Sequence, residues 1–137
     1  MAGRVLLDTN EVIGLFEGQP AILEHLARCA EAAVPSIVPG ELYFGALRSQ
    51  HVEENFERIS AFARSTPALP ADAATGRCYG QIKADLIRRG RPIPDNDAWI
   101  AALAVQHDCA ILTFDRHFLD VNGICVESPG VARGDVG

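Results

Sequence analysis

The hydrophobic pattern of the chain alternates between short apolar runs and stretches of helical period. Residues 4–7, Arg-Val-Leu-Leu, form an apolar run closed by Asp8, which predicts a buried parallel strand. Thr9 or Asn10 can cap a helix that reaches Phe16 and is ended by Gly18. Pro20 opens a second helix with Ile22, Leu23, Leu26, Ala27 and Ala30 on one stripe. Residues 34–38 read as a second strand. Pro39 then starts a helix to about Ser49, with Glu41 in its first turn. A helix over 52–63 presents Val52, Phe56, Ile59 and Ala63 on one face, and Pro67 and Pro70 bracket a short extended piece. Asp72 caps a long helix with Tyr79, Ile82 and Leu86 inward, stopping at Gly90. Beyond the loop 91–94, Asp95 to Asp97 precede a helix over 98–107 that buries Trp99, Ile100, Leu103 and Ala104. Residues 110–114 form a third clear strand ending at Asp115. A short strand over 124–126 follows, and a frayed tail is expected over 129–137.

Strands alternating with helices predict an α/β layer structure with a mostly parallel sheet. At 137 residues with no internal linker, the chain reads as a single domain over 1–137. Its 48% hydrophobic content excludes disorder and a disulfide-stapled miniprotein. Twelve basic and 18 acidic residues give a net charge of −6, which argues against a general nucleic-acid coat protein but not against a nuclease. The basic residues are eleven Arg and the single Lys83. Arg suits bidentate phosphate contacts, although a GC-rich genome gives the same bias. Of the four cysteines no two form a C-x-x-C pair, and Cys109 and Cys125 read as small core residues. The N-terminus resembles no signal peptide and no 18-residue stretch is free of charge, so a soluble cytoplasmic protein with no membrane association is expected.

The chemistry lies in where the acids fall. Open parallel sheets bind ligands outside the carboxyl ends of their strands. Asp8 and Asp115 each follow a strand directly, Glu41 lies just past another, and Asp95 and Asp97 introduce the helix leading into the third. Each has a structural reading: Asp8 and Asp97 as helix caps, Glu41 as a partner of a helix dipole, Asp115 as the start of an Asx turn. Gathered at one rim, however, like charges repel and would bind protons unless a cation neutralised them. Oxygen donors without nearby His or Cys favour Mg²⁺ or Mn²⁺ over zinc. Such a cation polarises a phosphoryl oxygen and acidifies water, the requirements of phosphodiester hydrolysis. His25, His51, His107 and His117 show no ligand-like spacing and read as surface or packing residues, with His117 set apart by its position beside Asp115.

Four segments, Leu6-Leu7-Asp8-Thr9-Asn10, Pro39-Gly40-Glu41-Leu42, Asp97-Ala98-Trp99-Ile100-Ala101-Ala102 and Leu112-Thr113-Phe114-Asp115-Arg116-His117-Phe118, resemble the ordered motifs of the PIN-domain ribonucleases. Within them the chain most resembles the VapC toxins of toxin–antitoxin pairs, over nearly all its length. The resemblance implies a three-layer α/β/α fold and a Mg²⁺-dependent endoribonuclease, with Mn²⁺ able to substitute. It also implies a VapB-like antitoxin and a homodimer. Carried over by motif, Asp8, Glu41, Asp97 and Asp115 match the acidic quartet, with Asp8, Asp97 and Asp115 as metal ligands and Glu41 orienting water or holding a second ion. Thr9, Asn10 and Thr113 match small polar positions beside the site, and Asp95 an occasional extra acid. Glu11 departs from the pattern, standing where an apolar residue usually opens the first helix. It could pair with Asp8, add charge beside the metal or lower activity.

Two other classes share parts of this pattern. A haloacid-dehalogenase-type site needs a second Asp two residues after the first, where this chain has Asn10, and a receiver needs a Lys near its last strand, where this chain has none. A PIN fold that holds RNA without cutting, or a housekeeping RNA-processing nuclease, is the alternative function. Candidate phosphate contacts are Arg48, Lys83, Arg88, Arg89, Arg91 and Arg116. The alternative for the cluster at 88–91 is a solvated helix end whose cations offset the dipole.

Overall fold

The computed structural model describes residues 2–130, and its core is set by the period-two alternation of two central strands. In β1 (Ala2–Leu7) the side chain of Leu6 packs to one face and those of Val5 and Leu7 to the other; in β4 (Ala110–Leu112), Ile111 and the pair Ala110 and Leu112 divide in the same way. Each strand is therefore buried on both faces, which calls for helices on both sides of the sheet. One layer is α5 (Ala73–Arg88) with α6 (Asp95–His107), whose Ile82, Leu86, Ile100 and Leu103 meet Leu6 and Ile111. The other comes from α1 (Thr9–Phe16), α3 (Ile37–Leu47) and α4 (Val52–Ser65), whose Val12, Val38, Leu42 and Ile59 meet Val5, Leu7 and Leu112. With α2 (Pro20–Ala27), β2 (Cys29–Pro35), β3 (Ala68–Leu69) and β5 (Val126–Glu127), the result is an all-parallel five-stranded sheet of order β3-β2-β1-β4-β5 flanked by six α-helices. This is a three-layer α/β/α architecture, as the resemblance implies.

The strand order reverses at β1. The chain builds outward to β2 and β3, then returns to place β4 on the other side of β1. A crevice opens at such a switch point, beyond the carboxyl ends of the two central strands. The register pairs Leu7 with Leu112, so the next residues, Asp8 and Thr113, emerge side by side.

Several boundaries differ from the sequence reading. The second helix stops at Ala27, and Ala30 already belongs to β2, which pairs with β1 from Ala2↔Cys29 onward. Ile37 and Val38, read as strand, open α3 instead. Pro39 then sits within the first turn, where the backbone N–H has no helical partner to lose. Helix α6 begins at Asp95 rather than Ala98, and Trp99 is half-buried, stacked on Tyr79 with ring centroids 4.0 Å apart. Cys125, expected in the core, is exposed, whereas Cys109 is buried. His25 is buried and its Nε2 lies 2.7 Å from Glu127 Oε1, tying α2 to β5. Of the tail expected over 129–137, Pro129 is buried and residues 131–137 lie outside the described residues. No helix among the described residues is long and apolar enough to cross a membrane.

Candidate active site

Asp8 is the first residue past β1 and the N-cap of α1, where its Oδ1 accepts the Thr9 N–H at 2.8 Å. Its other oxygen accepts the Thr113 hydroxyl at 3.2 Å, a bond made across the β1–β4 boundary that the register dictates. The Thr113 hydroxyl in turn accepts the Asp115 N–H at 2.9 Å, so one buried side chain sets both acids. Asp115 caps the 3₁₀ turn Arg116–Asp120 by accepting the His117 N–H at 2.9 Å. Asp97 is the third residue of α6, whose cap position is Pro94, so it does not cap its helix. It sits where the positive end of the helix dipole favours a carboxylate. Glu41, on the exposed rim of α3, accepts the Thr9 hydroxyl at 3.0 Å. Thr9 therefore links it to Asp8 within one crevice, and Asn10 is exposed beside them.

The site carries the electrostatic cost of that convergence. Burial is the main force raising the Asp8 carboxyl, with the charge of Asp115 adding to it and hydrogen bonds from Thr9 and Thr113 opposing it. Burial, then the charges of Asp8 and Asp115, push Asp97 up to about 6, with His117 opposing. A dication would offset both effects, and the donors are mostly hard carboxylate oxygens. The residues therefore fit a divalent metal held by Asp8, Asp97 and Asp115.

Two residues join the site that spacing did not place there. His117 Nδ1 lies 3.2 Å from Asp115 Oδ1 and 3.4 Å from Asp97 Oδ2. The signal for it was an imidazole two residues beyond an acid that caps a tight turn. Glu11, buried in the first turn of α1, accepts the Phe114 N–H on Oε2 at 3.2 Å, while its Oε1 is buried without a hydrogen-bond partner. Burial pushes its carboxyl up to about 7, with Asp8 adding to the effect. Beside the three roles read from the sequence, the structure gives Glu11 another, as a brace between α1 and the loop after β4.

Other predicted residues point elsewhere. Asp95 is exposed and engaged by Lys83 at 2.8 Å and Tyr79 at 3.0 Å, and the Lys83 ammonium holds its carboxyl below the usual range. Arg88 and Arg89 pair with Asp85. Arg89 also donates to the Asp120 carbonyl at 2.6 Å, and Arg91 reaches Asp120 at 3.1 Å. Arg89 and Arg91 thus tie the end of α5 and the loop after it to the 3₁₀ turn, whereas Arg88 pairs only within its own helix. Arg48 lies over the Phe44 ring, and Arg116 is exposed between Asp115 and His117. A groove of about 320 Å³ opens between α1, α3 and α4, lined by Ile13, Phe16, Leu42, Ala46 and Ile59 and also by Glu41.

The raised carboxyls fix a pH dependence. Each is protonated more readily in the fold than in the unfolded chain, so its stabilising effect is complete below the ordinary carboxylate range. That effect is lost as pH rises through about 6 for Asp97 and about 7 for Glu11. Metal-free protein is expected to melt at falling temperature from about pH 5 to pH 8. Glu11→Gln keeps an acceptor for Phe114, so its stability relative to the parent should improve by roughly 1–3 kcal/mol across that interval. Chemical denaturation at the two pH values checks this, and an unchanged difference would mean that Glu11 carries no buried charge.

The PIN domain family model matches residues 5–124. The tRNA(fMet)-specific endonuclease VapC of Shigella flexneri is 33% identical over 127 residues, covering 90% of this chain and 96% of that protein. Ribonuclease VapC2 of Haemophilus influenzae is 37% identical over 105 residues, covering 74% of this chain and 78% of that protein. Among solved structures, the DNA-bound VapBC of Salmonella typhimurium superposes with a TM-score of 0.84 at 28% identity, covering 93% of this chain and 98% of that one.

Proposed function

The chain belongs to the PIN domain family and its relatives are VapC ribonucleases; from that premise we propose that it is a divalent-metal-dependent endoribonuclease, the toxin of a VapBC-type pair. One observation carries the reading: Asp8, Asp97 and Asp115, far apart in sequence, meet at the switch point of the sheet, where the Thr113 hydroxyl bonds both Asp8 and the backbone of Asp115 and a carboxylate oxygen of Asp97 lies within 4.8 Å of one of Asp115. Asp8, Asp97 and Asp115 would hold Mg²⁺ or Mn²⁺, which supplies charge stabilisation at a phosphoryl oxygen and acidifies water. Thr113 orients Asp8 and fixes the backbone of Asp115. Thr9 holds Oε1 of Glu41, leaving Oε2 to orient the attacking water and take its proton. Arg116, exposed beside Asp115, is assigned to a backbone phosphate of the RNA; Arg88 and Arg91, exposed at their side chains, are further candidates, and Arg89 also braces the 3₁₀ turn.

The partner reading rests on the apolar groove. A helix from a VapB-like antitoxin would bury Phe16 and Leu42, and an Arg at its end could bridge the carboxylates near Glu41. The purified chain should cut RNA with Mg²⁺ and stop in excess EDTA. Because the Shigella flexneri relative is a tRNA(fMet)-specific endonuclease, initiator tRNA is the first substrate to assay. Expression alone should arrest growth and produce new RNA 5′ ends, and co-expression of an adjacent antitoxin gene should relieve the arrest. Cleavage persisting unchanged in EDTA would defeat the metal-dependent reading.

A further inference from the structure

The imidazole at the rim is placed too well to be incidental. Asp115 accepts the His117 N–H, and the next residue, Phe118, is fully buried in the α5–α6 core. The backbone of His117 is therefore pinned on both sides. Its ring turns toward the first turn of α6, with Nδ1 at 3.2 Å from Asp115 Oδ1 and 3.4 Å from Asp97 Oδ2. One donor atom from each of Asp97, Asp115 and His117 lies within 4.8 Å of the others. Adjacent ligands of an octahedral ion with bonds near 2.1 Å stand about 3 Å apart, so these spacings suit three donors sharing one cation.

We infer that His117 is a nitrogen ligand of the active-site metal, and that it makes the centre select Mn²⁺ over Mg²⁺. This rests on the nuclease reading above and adds to it a choice of metal. Mg²⁺ favours oxygen donors and keeps its water reluctantly exchanged, whereas imidazole binds transition ions more strongly. A site of carboxylates alone would separate the two ions weakly; one Nδ1 in the ligand set tilts the choice toward Mn²⁺. His117 lies 54% exposed at its side chain, so the ring meets an incoming ion without the core having to open.

The test is electron-spin-echo spectroscopy of Mn²⁺ bound to the intact chain, together with calorimetric titration of Mn²⁺ and Mg²⁺. The parent should show ¹⁴N coupling to Mn²⁺. His117→Ala should lose that coupling and bind Mn²⁺ about tenfold more weakly or worse, with Mg²⁺ affinity changed much less. A thermal melt confirms that the variant is folded, and His117→Gln supplies a second variant of similar size. Absent nitrogen coupling, or equal losses for both ions, overturns the inference. If Asp97→Asn still weakens Mn²⁺ binding in that case, the carboxylate site stands without His117. If Mn²⁺ fails to bind, or binds without regard to Asp97 and Asp115, both readings fall.

Discussion

Asp97→Asn is expected to lower RNA cleavage by roughly 10²–10³-fold or more while leaving a folded protein. Asparagine keeps the shape and removes a negative charge that burial and the charges of Asp8 and Asp115 already disfavour. Without metal, that removal relieves repulsion, and Asp97 is not the cap of α6. The variant should therefore melt at or above the parent temperature near pH 8. With metal, one carboxylate fewer weakens the cation's hold and its effect on the phosphoryl oxygen, so the loss falls mainly on turnover. RNA affinity depends on cations outside the cluster and should be kept or slightly improved. Melting temperature, RNA binding and single-turnover cleavage measured side by side separate these effects. Full cleavage by a folded variant would remove Asp97 from the chemistry.

Phe118→Ala is expected to cost about 3–5 kcal/mol, the usual range for a fully buried aromatic truncated to alanine. Phe118 is 0% exposed and packs with Ile111, Leu103 and Val121. It also anchors the 3₁₀ turn that carries Asp115 and His117. Cleavage should therefore fall further than the folded fraction alone explains, because the turn loses its fixed position. Phe118→Leu should recover most of the stability. Urea denaturation with parallel cleavage assays reads both effects; a loss under about 1 kcal/mol would mean that the turn is held by its hydrogen bonds rather than by this ring.

The parts of the fold that announced themselves were those with one dominant signal. β1 is a short apolar run closed by Asp8, β4 is one that stops at Leu112, three residues short of Asp115 and not directly before it as the sequence suggests, and α5 carries a capping box between Asp72 and Thr75 that marks its start. β2 was harder to read. Its segment Cys-Ala-Glu-Ala-Ala-Val-Pro is rich in alanine, a strong helix former, and only pairing with β1 and β3 makes it a strand. Its exposed first half has no alternation to betray it. The acids were visible because strand ends are where ligands bind. Glu11 was visible as an anomaly, but its partner, the Phe114 N–H, is 103 residues away and no local pattern points to it. Spacing among the histidines carries no sign of His117, because its neighbours in space are carboxylates. The arginines at 88–91 look like an RNA surface in sequence; Asp85 is a helical-spacing partner for Arg88 and Arg89, but Asp120 becomes apparent as a partner of Arg89 and Arg91 only when α5 meets the 3₁₀ turn.

The insertion of β4 beside β1 also sets a timetable. The N-terminal strand supplies Asp8 early in translation, but Thr113 and Asp115 arrive only with the last central strand, and the turn bearing them needs Phe118 to lock. Pairing between such distant segments is a late step in folding. On the ribosome the acidic centre is therefore incomplete until residue 115 has emerged, and a premature stop anywhere before it yields a fragment without that centre. The proposed RNA cleavage would thereby stay switched off while the message is still being read.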